Sequence, residues 1–224
     1  MLESLDIKQY MIKQGETRME NFDELAQTWD NEPRRRERAI IVADEIVKLI
    51  PDLDKKTGLE YGCGTGLLSF YLQQYIKHIT LMDNSQGMIK VLKQKIQNEK
   101  INNMTPILLD LSKGKNTDKK FDIIYLLLVL HHILDIDKIF ENFKKMLNPS
   151  GYLCLIDLVE EDGSFHGDGF NGHNGFRRNE LTEKLNKYGF NILSWKICYE
   201  NMKRFEDGTE RNYPLFFMVG QKMV

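Results

Sequence analysis

From Gly58 onward the chain switches repeatedly between two periodicities. Short apolar runs end in acids or glycines, and amphipathic stretches with apolar residues three and four apart follow them. GLEY, HITLMD, TPILLD, FDIIYLLL and GYLCLIDL read as strands. GLLSFYLQQYI, SQGMIKVLKQKIQNE and DIDKIFENFKKML read as the helices between them, with Ser85 placed as an N-cap. Parallel strands need a crossover connection, and each helix here supplies one. The pattern therefore predicts an α/β chain with a doubly wound sheet. FDIIYLLL is apolar almost throughout, as expected of a strand covered on both faces. Asn148-Pro149-Ser150-Gly151 stops the helix before GYLCLIDL, and Gly189 stops NELTEKLNKYG. Only ENMKRFEDGTER separates the last two strands, ILSWKICYE and NYPLFFMVGQK. No helix fits there, so these two form an antiparallel hairpin turning at Asp207-Gly208.

The first 50 residues read as helical. ERAIIVADEIVKLI carries one apolar face, and Pro51 closes it. This divides the chain into an N-terminal helical cap, residues 1–50, and an α/β domain, residues 51–224. Within the domain, residues 159–177 form a long glycine-rich connection.

Composition narrows the function. With 31 basic against 33 acidic residues and a net charge of -2, nothing marks a surface for nucleic acid or anionic lipid. Hydrophobic residues make up 42% of the 224, enough for a buried core. MLESLDIKQY lacks the basic start and apolar run of a secretory signal, and Ile123 to Leu130 is too short to span a bilayer. Three scattered cysteines, Cys63, Cys154 and Cys198, suit a reducing, cytoplasmic setting, with Cys154 and Cys198 read as core residues.

Ligands of a doubly wound sheet bind beyond the carboxyl ends of its strands. There the chain reads LEYGCGTG, with Gly62, Gly64 and Gly66 at alternate positions behind Glu60. The spacing is G-x-G-x-G, one residue short of the dinucleotide fingerprint, and no Lys-Ser/Thr follows as in a phosphate loop. A carboxylate at Glu60 is also wrong for a pyrophosphate and right for a cation. Asp83 ends the second strand, where an acid takes ribose hydroxyls, and Asp110 ends the third, within reach of a base. A ligand with a ribose, a base, a positive charge, an amino-acid carboxylate and no phosphate describes S-adenosylmethionine.

Together, LEYGCGTG, LMDNSQGMI, LLDL, FDIIYLLLVLHHILD and LNPSGYLCLID resemble the class I S-adenosylmethionine-dependent methyltransferases. The resemblance is to their small-molecule branch, which includes the ubiquinone- and menaquinone-biosynthesis enzymes, and it covers roughly residues 28 to 200 in motif order. It implies a Rossmann-like methyltransferase fold: a seven-stranded sheet of order 3-2-1-4-5-7-6 with strand 7 antiparallel. It also implies that Glu60, Gly62 and Gly64 line the methionine end of the cofactor. Asp83 binds the ribose, with Asn84 and Met88 beside it. Asp110 and Leu111 meet the adenine, and Leu126 and Leu127 touch the cofactor through backbone. In TWDNEPRRRERA, Trp29 covers the methionine moiety and one of Arg34, Arg35 or Arg36 meets its carboxylate; a solvated helix start is the other reading of that arginine run.

The acceptor side points to histidines. His131 and His132 follow the fourth strand, and EEDGSFHGDGFNGHNGF, with five glycines, carries His166 and His173. A long glycine-rich loop over the cofactor mouth reads as an active-site lid. His132, His166 and His173 are the expected catalytic residues, serving as bases if the acceptor needs one. His166, Asp168 and His173 lack a regular ligand spacing, so no metal is assigned. The expected activity is methyl transfer to a small-molecule acceptor by a monomer or homodimer. A protein methyltransferase, or an NAD(P)-dependent oxidoreductase on a similar fold, is the alternative.

Overall fold

A computed structural model describes residues 21–111, 117–205 and 207–224. The first 20 residues of the helical cap lie outside the described residues. Seven strands form one sheet: β1 (Thr57–Tyr61), β2 (His78–Asp83), β3 (Met104–Leu108), β4 (Phe121–Leu127), β5 (Leu147–Leu158), β6 (Phe190–Arg204) and β7 (Glu210–Lys222). Their spatial order is β3-β2-β1-β4-β5-β7-β6. The first five are parallel, and β7 runs antiparallel to both β5 and β6. The implied strand order and the terminal hairpin are both present.

The hairpin is longer than the sequence pattern suggests. Pairing continues through Asn201↔Tyr213 and Lys203↔Arg211 to Arg204↔Glu210, so most of ENMKRFEDGTER is strand. Polar residues remain in strand because neighbouring elements meet them. Asn201 accepts from Arg38 Nη1 at 3.0 Å, Met202 O accepts from Arg34 Nη1 at 2.9 Å, and Lys203 donates to Phe165 O. Gly208, at φ 83°, makes the turn.

The helices are α1 (Phe22–Leu25), α2 (Pro33–Leu49), α3 (Leu67–Leu72), α4 (Gln86–Asn98), α5 (Ile136–Met146) and α6 (Arg178–Lys187). Pro33 opens α2 at the one helical position where a missing N–H costs nothing. Ser85 caps α4 by accepting from Met88 N–H. The sheet separates two apolar layers, and strand alternation assigns residues to them. Ile123 and Tyr125 of β4 face the layer holding Val42 and Ile46 of α2, Leu68 and Leu72 of α3, and Leu92 of α4. Ile124 and Leu126 face Phe140 and Phe143 of α5 and Leu185 of α6. Two covered faces explain the unbroken apolar run of β4.

Pairing between β1 and β4 ends at Glu60↔Tyr125, while β4 and β5 continue to Leu127↔Ile156. The chain leaves β1 toward β2 on one side and β4 toward β5 on the other. That divergence is the switch point, and it opens a crevice at the carboxyl ends.

Candidate active site at the switch point

The glycine loop is built on three left-handed residues: Gly62, Gly64 and Gly66 have φ of 70°, 54° and 81°. They do different jobs. A Cβ on Gly62 would lie 2.4 Å from Val129 Cγ2, and one on Gly66 would lie 2.7 Å from Leu92 Cδ1. A Cβ on Gly64 would meet nothing nearer than Met88 Sδ and Trp29 Nε1, both at 3.9 Å. Gly62 and Gly66 therefore serve close packing, whereas Gly64 borders room for a ligand.

Asp83 secures this loop. Its Oδ2 accepts Gly64 N–H at 2.7 Å and its Oδ1 accepts Ser85 N–H at 2.8 Å. The side chain is only 9% exposed, and burial raises its pKa while the three backbone N–H bonds oppose that shift. Three of the roughly four lone-pair sites of the carboxylate are thus taken, and one is left for a further donor. Asn84 is exposed beside it, and Met88 is buried behind it.

Glu60 lies beneath the loop rather than in it. It is 4% exposed; its carboxyl accepts from Ser69 Oγ, and Ser69 Oγ lies 2.6 Å from the Tyr125 hydroxyl. Burial pushes its pKa up to about 8. A charge argument for a cationic ligand therefore rests less on Glu60 than the sequence suggests, because this carboxyl is largely protonated at neutral pH.

The segment before α2 folds over the loop. Trp29 approaches Gly64, and the Arg35 guanidinium stacks 3.6 Å from the centre of its ring. Arg35 Nη1 also donates to Trp29 O, and Arg36 Nε to Asp30 O. Arg35 and Arg36 thus brace the entry segment against the start of α2. Asp30 fastens that segment to the loop: it accepts from Thr65 Oγ1 at 2.5 Å and from Lys95 Nζ at 2.6 Å. Asp23 does the same at α4, accepting from Ser85 Oγ at 2.5 Å and Gly87 N–H at 2.7 Å. Sequence reasoning missed both acids, since an isolated Asp in a polar segment carries no periodic signal.

Beyond β3, Leu109 N–H donates to Asp83 O at 2.9 Å, and half-buried Asp110 follows two residues past the strand end. Leu111 is fully buried in the layer under α5. Leu127 is half-buried and leads into Leu128, a left-handed residue at φ 56°.

On the β4 side the structure gathers imidazoles. His131 is 1% exposed, and its Nδ1 lies 2.6 Å from Asp157 Oδ1. Asp157 Oδ2 accepts His131 N–H at 3.2 Å. His131 lies 4.1 Å from His132 and 5.0 Å from His166, centre to centre, and His132 lies 5.1 Å from His166. Phe170 stacks on His166 at 3.9 Å. Burial and the neighbouring imidazoles push His132 down to about 3 and His166 to about 4, so both rings are neutral at physiological pH. The Nε2 atoms of His131 and His166 are buried without a hydrogen-bond partner among the described residues.

His173 stands apart from this cluster. Its Nε2 lies 2.9 Å from Ile133 O, and its N–H donates to His131 O at 2.7 Å. These bonds hold the loop onto the end of β4. The loop is closed at its base by Val159↔Phe176 and seated at Gly172, where a Cβ would lie 2.2 Å from His131 O. His131 and Asp157 were the residues to add; the available signal was an acid inside the apolar strand GYLCLIDL.

Contacts join the two halves. Phe22 packs edge-on against both Trp29 (5.8 Å) and His132 (5.7 Å), and Val129 abuts Gly62. The histidines therefore flank the loop end where Gly64 leaves space.

This fold is that of Rossmann-like methyltransferases. Residues 59–155 match the family described as a methyltransferase domain. An uncharacterised methyltransferase of Schizosaccharomyces pombe is 29% identical over 143 residues, 59% of this chain and 50% of that protein. A ubiquinone biosynthesis O-methyltransferase of Coxiella burnetii is 28% identical over 140 residues, 61% of this chain and 59% of that one. The chain thus spans between half and three fifths of the length of these relatives. A chain from the complex between the Haloferax volcanii Trm112 methyltransferase activator and a methyltransferase shares the fold, with TM-score 0.75 at 15% identity over 91% of this chain and 96% of its own. An S-adenosylmethionine-dependent methyltransferase from Aquifex aeolicus does so with TM-score 0.65 at 17% identity over 89% and 97%. No helix among the described residues is long and apolar enough to cross a membrane.

Proposed function

We propose that this chain transfers the methyl group of S-adenosylmethionine to a small-molecule acceptor held beside the histidines. In this reading Gly62 and Gly64 cradle the methionine end under Trp29, with Glu60 supporting the loop from below. Asp83, Asn84 and Met88 hold the ribose side, and Asp110, Leu111 and Leu127 close on the base and backbone. The acceptor heteroatom bonds to the methyl carbon as the sulfonium–carbon bond breaks. Its electron pair goes to sulfur, and the acceptor proton leaves to the site. Alignment and exclusion of water supply most of the rate.

The observation that carries this reading is the placement of neutral imidazoles, His132 and His166 with His131 behind them, across from the open side of Gly64. A neutral ring can accept a hydrogen bond from a hydroxyl or thiol and so orient it toward the methyl group. The oxygen acceptor in the name of the Coxiella burnetii relative fits such a site. The loop seated over the rings favours an acceptor small enough to enter beneath it over a protein chain. His173, which ties that loop down, acts in this reading through the loop.

The test pairs calorimetric titration with S-adenosylhomocysteine and a methyl-transfer screen over thiols, phenols, quinols and amines. Binding of the cofactor product and turnover on at least one small acceptor are expected, with loss of turnover in His132→Ala. Binding of NADH in place of S-adenosylhomocysteine overturns the reading in favour of an oxidoreductase. Turnover on protein extract alone replaces the small acceptor with a protein one.

A further inference from the structure

We infer that His131, His132 and His166 form a binding site for one divalent late transition metal of the Zn2+ class, with Asp157 as the positioning residue behind His131. Each histidine offers one ring nitrogen, and the three nitrogens lie within 4.8 Å of one another. Tetrahedral Zn2+ holds imidazole nitrogens at about 2.0–2.1 Å from the metal.

Two further observations point to a ligand at the same spot. Asp157 takes the Nδ1 side of His131, which aims Nε2 inward. A carboxylate behind a histidine is the usual support of a metal-bound ring. The inward nitrogens of His131 and His166 are then left buried and unpartnered. Leaving one such atom unpaired costs about 1–3 kcal/mol. Two unpaired atoms in one cluster are explained together if both donate to one ion. Phe165 and Phe170 wall the cluster, at 6.3 and 6.1 Å from the His131 ring.

Three nitrogens with no carboxylate or thiolate select Zn2+, Co2+, Ni2+ or Cu2+ over Mg2+ or Ca2+. Three protein ligands also leave a fourth position open. This extends the methyl-transfer reading and rests on it in one respect: the open position takes the acceptor. An ionisable hydroxyl or thiol would coordinate as its anion and release its proton to solvent. The ion's two positive charges would then be balanced by Asp157 and the acceptor anion, leaving no net repulsion toward a neighbouring sulfonium.

The test uses the full chain stripped with a chelator, then titrated with Co2+ and displaced with Zn2+. One equivalent with the intense visible absorption of tetrahedral Co2+ is expected. His166→Ala, confined to a loop, should weaken binding at least about 100-fold, and Asp157→Asn about 10–100-fold. His78→Gln, at the far end of β2, should bind as the wild type does. Absence of stoichiometric binding, an octahedral spectrum, or unchanged affinity in His166→Ala overturns the inference. If Asp157→Asn fails to fold, the spectrum and His166→Ala decide. S-adenosylhomocysteine binding on the same samples separates the two readings. Methyl transfer that persists in chelator removes the metal and keeps the enzyme reading; metal binding without cofactor binding does the reverse.

Discussion

The glycine loop and the histidine cluster occupy opposite sides of the same crevice, and they are built by different means. The loop is backbone architecture. Its three glycines sit in left-handed conformations within five residues, and its fastening to Asp83 uses main-chain N–H groups. The cluster is side-chain architecture. Its members come from the end of β4, from β5 and from the loop after β5, and Asp157 orients His131 across 26 positions of sequence. A backbone site tolerates changes in side chain and fails when φ or close packing is violated. A side-chain site tolerates backbone drift and fails when one orienting partner is lost.

The largest expected effect tests the backbone side. Gly62→Ala combines a left-handed φ with a Cβ 2.4 Å from Val129 Cγ2, and should cost about 3 kcal/mol of stability by denaturant midpoint. Gly64→Ala, whose Cβ would meet Met88 and Trp29 only at ordinary van der Waals distance, should cost about 1 kcal/mol and mainly weaken cofactor binding. Equal losses would erase the division of labour within the loop.

Asp83→Ala comes next. It removes a carboxylate that braces Gly64 and, in the proposed function, binds the ribose, and should lower S-adenosylhomocysteine affinity by about 1.5–3 kcal/mol in calorimetry. Unchanged affinity would show that the brace alone, without a ligand contact, accounts for this acid.

Glu60→Gln sharpens the comparison by pH. Burial raises the Glu60 pKa from 4.5 to about 8, so its contribution to stability is fully present below pH 4.5 and is lost as pH rises through about 8. Across that window the wild type should lose stability relative to Glu60→Gln, with a slope approaching about 1.4 kcal/mol per pH unit. Parallel unfolding curves from pH 5 to 8 would mean that the carboxylate is solvated.

The smallest effect belongs to His173. His173→Asn removes the bond to Ile133 O and should cost about 1 kcal/mol of stability, with S-adenosylhomocysteine affinity unchanged. A loss of cofactor affinity would place this residue in the crevice rather than in the fastening of the loop.

The parts of the site that were legible in sequence are those where local backbone geometry dictates residue type. LEYGCGTG announced a left-handed turn because only glycine adopts such angles freely, and Asp83 announced itself by ending an apolar strand. Glu60 was legible as a position and not as an environment. Its place at the end of β1 was readable, but its inward rotation toward Ser69 and Tyr125 depends on which layer that side of the strand faces. The hairpin was recognised and its length underestimated, because partners for its polar residues come from α2 and from the loop after β5.

The sequence by itself determined the alternation of strands and helices, the final antiparallel pair and the crevice where a ligand would bind. Those follow from periodicity and chain connectivity, which are local properties. Only the tertiary structure decided that Asp157 stands behind His131, that His166 joins His131 and His132 while His173 turns to the backbone, and that Asp30 and Asp23 clamp the cap. These depend on side chains from distant segments meeting at low dielectric, where the pairing of each polar atom is set by its neighbours and not by its place in the chain.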